Sequence, residues 1–309
     1  MELEVMELTV SRDIETRVND VLEGIAGHAL IRAEELPDEL HRNVPDALLQ
    51  VTLRWGVPVS QNSDNEFLCR VEDKGEATRG QRQRGYRTRE SLPFHSDRCD
   101  YVVLYCRENA SAGGETKVVD MMALYDALRT RFPAELTALS RPYPFDRRGE
   151  QLPGEHEWTE VPILSRMNDC VSFWYCRKFI DSCTRFLDFH GLSKEAEAAL
   201  EVFDDLVESG EFTQGYRLGA GDLLIMNSHK TLHGRDAYVD DGTSRRLLYR
   251  IWLAADKSPA LSPHFRALFG RTEAGAYRGG VWSSSLNLAH FPGRVEDARA
   301  RFLALESPR

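Results

Sequence analysis

The segment Asp100 to Arg107 carries the run Tyr101-Val-Val-Leu-Tyr105, which is apolar at every position. Successive side chains of a β-strand point to opposite faces. This strand therefore has to be covered on both sides, so its sheet has to lie between two other layers. Shorter apolar runs of the same kind follow residue 66. Phe67 to Val71 is one. Thr116 to Val119 leaves a Gly113-Gly114 turn, and Gln214 to Leu218 and Leu223 to Met226 flank the turn Gly219-Ala-Gly-Asp. Arg246 to Leu253 is the last. Many short strands separated by glycine turns describe a β-rich core. Ala29 to Ala33 is a further short strand.

Helical spacing appears mainly at the edges of this pattern. Residues 11–26 place Ile14, Val18, Val21, Leu22 and Ile25 on one face. Residues 38–55 do the same with Leu40, Val44, Leu48, Leu49 and Leu53 until Gly56-Val-Pro interrupts. Residues 121–131 form a helix ending near Pro133. Residues 193–209 form another, with Ser193 as cap and Glu195 and Glu197 in the first turn. The stretch 141–161 is polar and rich in proline and glycine, with Arg147, Arg148 and Gly149 near its centre, and reads as a long loop of the lid type. The expected fold is mainly β with flanking helices (α+β), around a double-stranded β-helix of the jelly-roll, cupin-like kind. We expect one domain over 1–309. It comprises a helical part at 1–65, a core at 66–255 with a lid or insertion at about 141–210, and a C-terminal extension at 256–309.

The formal net charge of −10 speaks against a nucleic-acid or anionic-membrane partner. No apolar run approaches the roughly 18 residues of a membrane span. The stretch Met1 to Arg12 is acidic and lacks an apolar signal core. The six cysteines, Cys69, Cys99, Cys106, Cys170, Cys176 and Cys183, form no Cys-x-x-Cys pair. Reduced thiols and a cytoplasmic location are expected. The expected partner is a small-molecule substrate, and homo-oligomerisation is left open.

The chemistry concentrates in His95-x-Asp97, His233 and Arg246. Residues i and i+2 of a strand share a side, so His95 and Asp97 can address one metal ion. Two imidazoles and one carboxylate can cover one face of iron(II) and leave the other open. Taken alone, His-x-Asp has an ordinary reading, a turn histidine beside a solvated aspartate. The downstream context changes its weight. Gly221-Asp-Leu-Leu-Ile-Met-Asn is an apolar strand that delivers the chain to Leu232-His-Gly-Arg, and the glycine permits close backbone approach. Arg246 heads an apolar strand, and a buried guanidinium needs a partner such as a carboxylate. His229 and His233 are four apart, as on a zinc-binding helix, but no glutamate lies between them and Gly234 opposes a helix. His229 is assigned a supporting role, and Cys99 is read as filling space.

These pieces resemble the taurine dioxygenase and clavaminate synthase-like family of iron(II)/2-oxoglutarate oxygenases. The pieces are Arg84-Gly-Tyr-Arg-Thr, Leu92-Pro-Phe-His-Ser-Asp, Gly113-Gly-Glu-Thr, Gly221-Asp-Leu-Leu-Ile, Leu232-His-Gly-Arg and Arg245-Arg-Leu-Leu-Tyr-Arg. The resemblance covers about Tyr86 to Leu253 and runs more loosely to Trp282. It implies iron(II), 2-oxoglutarate and O2 as cofactor and cosubstrates, with His95, Asp97 and His233 as metal ligands and catalytic centre. It assigns Thr116 and Arg246 to 2-oxoglutarate. Arg245 is the neighbouring alternative, set aside because Arg246 shares a strand side with Arg250. Arg250 matches a substrate-facing position, and an internal salt bridge is an equal reading of it. Arg98 and Tyr86 are further substrate candidates. Asp97 occupies the position that related halogenases leave small, so hydroxylation, desaturation or a related oxidation is implied. The competing readings are a zinc hydrolase and a non-catalytic cupin-like binding protein.

Overall fold

A computed structural model describes residues 11–75, 85–241 and 243–306. Most of the acidic Met1 to Arg12 stretch and Arg84 lie outside the described residues. The chain opens with α1 (Arg12–Glu23), β1 (His28–Ile31), α2 (Asp38–Arg42), α3 (Val44–Thr52), β2 (Val57–Val59) and β3 (Leu68–Val71). There follow β4 (Leu92–His95), β5 (Tyr101–Glu108), β6 (Ala112–Gly113), β7 (Thr116–Asp120), α4 (Met121–Arg131) and α5 (Pro133–Leu139). Next come β8 (Pro142–Asp146), β9 (Trp158–Pro162), β10 (Leu164–Met167), β11 (Cys170–Phe173), α6 (Arg177–Asp181) and α7 (Lys194–Glu208). The last part holds β12 (Thr213–Tyr216), β13 (Leu223–Asn227), β14 (Thr231–Arg235), β15 (Tyr238–Val239), β16 (Leu247–Ala254), α8 (Arg266–Phe269) and α9 (Val295–Glu306).

Two antiparallel sheets make the double-stranded β-helix. The larger runs β1-β13-β5-β16-β2, with β3 also pairing with β16, and the smaller runs β12-β7-β14-β4. Strand alternation assigns the layers. In the larger sheet Val102, Leu104 and Cys106 of β5, Leu224 and Met226 of β13 and Leu248, Trp252 and Ala254 of β16 point inward, where they meet Val118 of the smaller sheet. The other face presents Tyr101, Val103, Tyr105, Leu223, Ile225, Tyr249, Ile251 and Leu253 to Val18 and Leu22 of α1 and Leu48 and Val51 of α3. Both faces of β5 are thus covered, as its sequence requires. Burial of each valine, leucine, isoleucine or methionine side chain among them contributes about 1.5–3 kcal/mol. The outer face of the smaller sheet packs Val119 and Leu232 against α4, α5 and Ala199, Leu200 and Phe203 of α7.

The helix signals act locally as expected. The Ser193 hydroxyl accepts from the Ala196 N–H at 3.2 Å at the start of α7. Ser11 caps α1. Asp120 caps α4 through the N–H groups of Met122 and Ala123. Two expectations change. The helix expected over 38–55 is split at Asn43, because Pro45 has no N–H to continue an α-helix and instead opens α3 in its first turn. The loop expected over 141–161 is a hairpin, β8 paired with β9 from Pro142↔Pro162 to Asp146↔Trp158. Prolines spaced by two, Pro142 and Pro144, are compatible with a strand whose outer edge is unpaired. Tyr143, Phe145 and Val161 meanwhile fill the core. Only the tip between Asp146 and Trp158 is loop. Among the described residues no helix is long and apolar enough to cross a membrane.

The segment after β16 is woven into the body of the fold. Tyr277, Val281, Trp282, Phe291 and Phe302 join the inner core. Gly279 has φ +83, and a Cβ there would lie 2.6 Å from the Arg98 carbonyl oxygen. The Gly280 N–H donates to that same oxygen at 2.6 Å. Next to it, fully buried Arg278 donates from Nε to Asp100 Oδ1 at 2.9 Å, and His229 Nε2 lies 2.8 Å from the same oxygen. The Ala255 N–H donates to Asp100 Oδ2 at 2.9 Å. Burial alone would raise the Asp100 carboxyl, but Arg278 and His229 outweigh it and hold it below the usual carboxylate range. Arg278→Met would leave this carboxylate without its counter-charge. It is expected to lose about 3–5 kcal/mol of unfolding free energy, read as a lower urea midpoint. A loss under about 1 kcal/mol would show that the network does not anchor the C-terminal segment.

Candidate metal centre

β4 and β14 are neighbours in the smaller sheet, with His95 directly opposite His233. The register shifts between His233 and Arg235, where a Cβ on Gly234 would come within 2.9 Å of the Leu92 carbonyl oxygen. Glycine at 234 therefore permits the approach that brings the two imidazoles to a ring-centroid separation of 4.4 Å. β4 ends at His95, and Asp97 sits in the turn beyond it rather than in the strand. That turn is pinned from the insertion: the Ser96 N–H donates to the Tyr175 carbonyl at 2.7 Å.

The ligand atoms of His95, Asp97 and His233 lie within 4.8 Å of one another. His95 Nε2 is 3.7 Å from Asp97 Oδ1, and His233 Nε2 is 3.5 Å from Asp97 Oδ2. His95 Nδ1 lies 2.9 Å from the Pro93 carbonyl oxygen. A proton on Nδ1 engaged there leaves the Nε2 lone pair facing the other two ligands. Burial, and then His233, push the His95 imidazole down to about 4, so it is neutral near pH 7. Burial would raise the Asp97 carboxyl, but Arg250 foremost, then His233 and His95, hold it well below the usual carboxylate range. Two neutral-capable imidazoles and one ionised carboxylate form the donor set of a facial iron(II) site, so the residues fit such a metal.

The larger sheet holds the aspartate from behind. Trp252 Nε1 donates to Asp97 Oδ2 at 2.7 Å, and Arg250 Nη1 reaches the same oxygen at 3.3 Å. Arg250 Nε donates to Gln61 Oε1 at 2.8 Å, and its guanidinium lies over the Tyr86 ring at 4.9 Å. Arg250, for which a substrate contact and an internal salt bridge are equal readings from sequence, is engaged with Asp97, Gln61 and Tyr86 and also lines the cavity in front of the cluster. In front of the cluster opens a cavity of about 670 Å³ reached by His95 and Asp97. Tyr86, Arg98 and Arg250 line it, as do Arg148, Glu150, Trp174, Cys176 and Lys178 from the insertion. Arg98 Nη2 is 3.6 Å from Glu150 Oε2, so the turn that carries Asp97 and the β8–β9 tip meet over this space. Cys99 is fully buried behind the turn, and burial pushes its thiol well up.

Arg245 and Arg246 diverge, as alternation demands. Arg245 turns outward, 3.6 Å from Glu72. Arg246 is buried, with Nη2 3.4 Å from the Gly114 carbonyl oxygen and its guanidinium over the Tyr238 ring at 5.1 Å. Gly114, at φ +74, leaves room for it, since a Cβ there would be 3.0 Å from Arg246 Nε. Thr116, also buried, stands opposite Arg235 in the β7–β14 ladder, two residues along from the Val118↔His233 pair. Neither Arg246 nor Thr116 lines the large cavity; both lie deeper between the sheets.

Trp252, Gln61, Trp174, Glu150 and Arg235 also take part in the site or its surroundings without being singled out by any motif. Trp252 was accessible by spacing, two residues from Arg250 on the same strand. Arg235 was accessible in the same way, two residues after His233. Gln61 and Glu150 carry no local signal, since only the packing of distant segments brings them to the site. Trp174 lines the cavity and is buried, and its Nε1 has no hydrogen-bond partner among the described residues.

Comparison with known proteins follows the same outline. FR-33289 synthase of Streptomyces rubellomurinus (strain ATCC 31215) is 34% identical over 209 residues, covering 66% of this chain and 61% of that protein. The chain spans between about half and three fifths of the length of the curated relatives it matches. Among solved structures, an asparagine oxygenase in complex with Fe(II), 2S,3S-3-hydroxyasparagine and succinate superposes with a TM-score of 0.64 at 17% identity, covering 89% of this chain and 86% of that one. The non-heme iron oxygenase OrfP, in complex with Fe and alpha-ketoglutaric acid, gives a TM-score of 0.59 at 17% identity, covering 80% and 81%. At this identity the two structures show the shared fold. The model of the taurine catabolism dioxygenase TauD, TfdA family matches residues 15–252, from the first helix to within the last strand of the larger sheet, and the chain belongs to that family.

Proposed function

We propose that this protein is an iron(II)- and 2-oxoglutarate-dependent dioxygenase that oxidises, most directly by hydroxylation, an unactivated C–H bond of a small polar or anionic molecule. An amino acid or a natural-product intermediate fits this description. The observation that carries the reading is the convergence of His95, Asp97 and His233, with His95 and Asp97 opening on a large cavity. Membership of a dioxygenase family supports it, as do relatives solved with iron and 2-oxoglutarate or succinate. The buried, unengaged edge of Arg246 supports a role in holding the cosubstrate's distal carboxylate, with Thr116 beside it. The same family of reactions includes desaturation, and Asp97 in the ligand set leaves either outcome open to the enzyme.

Bound iron(II) would supply the activation of O2, coupled to decarboxylation of 2-oxoglutarate to succinate and CO2. The protein's own share is geometric and electrostatic. Arg250 foremost keeps Asp97 ionised, the Trp252 N–H helps to aim it, and the Pro93 carbonyl orients His95. The inner core of valine, leucine and methionine side chains keeps bulk water from the space behind the metal. The position of Arg98 and Tyr86 on the cavity wall supports reading them as contacts to a polar substrate. The chain would act as one oxygenase unit on a free small molecule, and its six unpaired thiols favour the reducing cytoplasm.

With iron(II), ascorbate and 2-oxoglutarate, the protein should consume oxygen and form succinate. Failure to do so, together with tight zinc and no iron binding, would overturn the reading. His95→Ala or Asp97→Ala should abolish iron-dependent turnover. Arg246→Ala should raise the 2-oxoglutarate requirement by about 10- to 100-fold; an unchanged requirement would count against that role. Trp252→Phe removes one N–H from Asp97 while preserving bulk, and should weaken iron(II) binding by about 10-fold. Equal iron affinity in the variant and the parent protein would show that the indole is packing alone.

A further inference from the structure

Around the Tyr238 ring lie three buried side chains whose polar atoms exceed the partners the chain supplies. Arg246 Nε and Nη1, Arg235 Nε and Nη1, and the Tyr238 hydroxyl have no hydrogen-bond partner among the described residues. All three residues are buried, at 2%, 6% and 3% exposure. The two guanidiniums flank the same ring, Arg246 at 5.1 Å and Arg235 at 4.9 Å from the Tyr238 centroid. Neither forms an ion pair with a carboxylate among the described residues, although other buried arginines nearby do: Arg250 with Asp97 and Arg278 with Asp100. Two unneutralised guanidiniums in one buried space are costly unless an anion joins them. Burial foremost, then Arg235, pushes Arg246 down to about 10.

Arg235 is held so that its remaining donors cannot turn away. Its Nη2 donates to the Thr88 carbonyl at 2.7 Å and to the Glu90 carbonyl. The N–H of Tyr238 donates to the Arg89 carbonyl at 3.0 Å. One edge of Arg235 is therefore fixed to the 88–90 segment, and Nε and Nη1 are left over. β14 places Arg235 two residues from His233 and opposite Thr116, on the metal-facing side of the smaller sheet.

We propose that Arg235 and Tyr238 complete, with Arg246, a two-guanidinium site for the distal carboxylate of 2-oxoglutarate, and that this pair selects a dicarboxylate over a monocarboxylate 2-oxo acid. The proposal rests on the oxygenase reading and adds two residues to it. A carboxylate offers about four lone-pair sites, which Arg246 alone would not fill. The second cation matters most for a fully desolvated anion, because charge-assisted hydrogen bonds there are not weakened by competing water. Pyruvate can use the same keto-acid chelation of the metal but carries nothing to place between the arginines.

The test is calorimetric titration of 2-oxoglutarate and of pyruvate into the iron(II)-loaded protein without oxygen. Arg235→Met should weaken 2-oxoglutarate by about 10- to 100-fold and leave pyruvate within about twofold. Arg235→Lys should recover part of the loss, and Tyr238→Phe should cost about 2- to 10-fold for 2-oxoglutarate only. Undiminished 2-oxoglutarate affinity in a natively folded Arg235→Met protein would overturn the proposal. So would equal weakening of both ligands, which marks a structural role. If Arg235→Met does not fold, the lysine and phenylalanine variants decide, and parental affinity in both overturns it. If the parent protein binds iron(II) but no 2-oxoglutarate, the oxygenase reading falls and this one falls with it.

Discussion

The Asp97 carboxylate is the point on which both sheets close. It leaves the end of β4 in the smaller sheet, yet its hydrogen bonds come from Trp252 and Arg250 of β16 in the larger one. A buried carboxylate without these partners would take up a proton and lose its value as a metal ligand. The inner core, the helices α1 and α3 packed on the outer face of the larger sheet, and the C-terminal segment all keep this cross-sheet contact in register. Gly280 and Arg278 brace the same turn from its other side, at Arg98 and Asp100. The centre is therefore a property of how the sheets face each other, more than of the His-x-Asp motif itself.

Charge is distributed in tiers along β16. Arg246, at the head of the strand, shares its inner side with Arg250 and Trp252, and only the latter two meet a carboxylate, the same Asp97. Arg250 is neutralised within the protein by Asp97, while Arg246 and its neighbour Arg235 are left with surplus donors. An arginine paired with the Asp97 carboxylate serves its position and ionisation. One left with buried, unmatched donors is what the proposed cosubstrate site rests on. The same residue type, four positions apart on one strand, thus takes two different tasks.

The elements with simple local rules were legible from the residues. β5 had to be a doubly covered strand, Ser193 had to cap a helix, and the spacing of Arg246 and Arg250 separated them from Arg245. The 141–161 stretch was misread because proline and glycine content was taken for loop, whereas edge strands accept proline at alternate positions. The split at Asn43 followed from a proline that apolar spacing does not register. Arg250 illustrates a subtler limit. Its side of the strand was readable, but whether it met substrate or Asp97 depended on a turn more than 150 residues away in the chain.

By itself the sequence determined the layered β architecture and the four residues, His95, Asp97, His233 and Arg246, from which an oxygenase could be read. Alternation and glycine spacing act within a few residues, so they are written locally. Tertiary structure alone decided that Gln61, Tyr86, Trp174 and Glu150 share a wall with the metal cluster, that Arg250 supports Asp97, and that Arg235 and Tyr238 lie beside Arg246. Those contacts join segments distant along the chain. Only the packing of two sheets around one apolar core sets how far apart they stand.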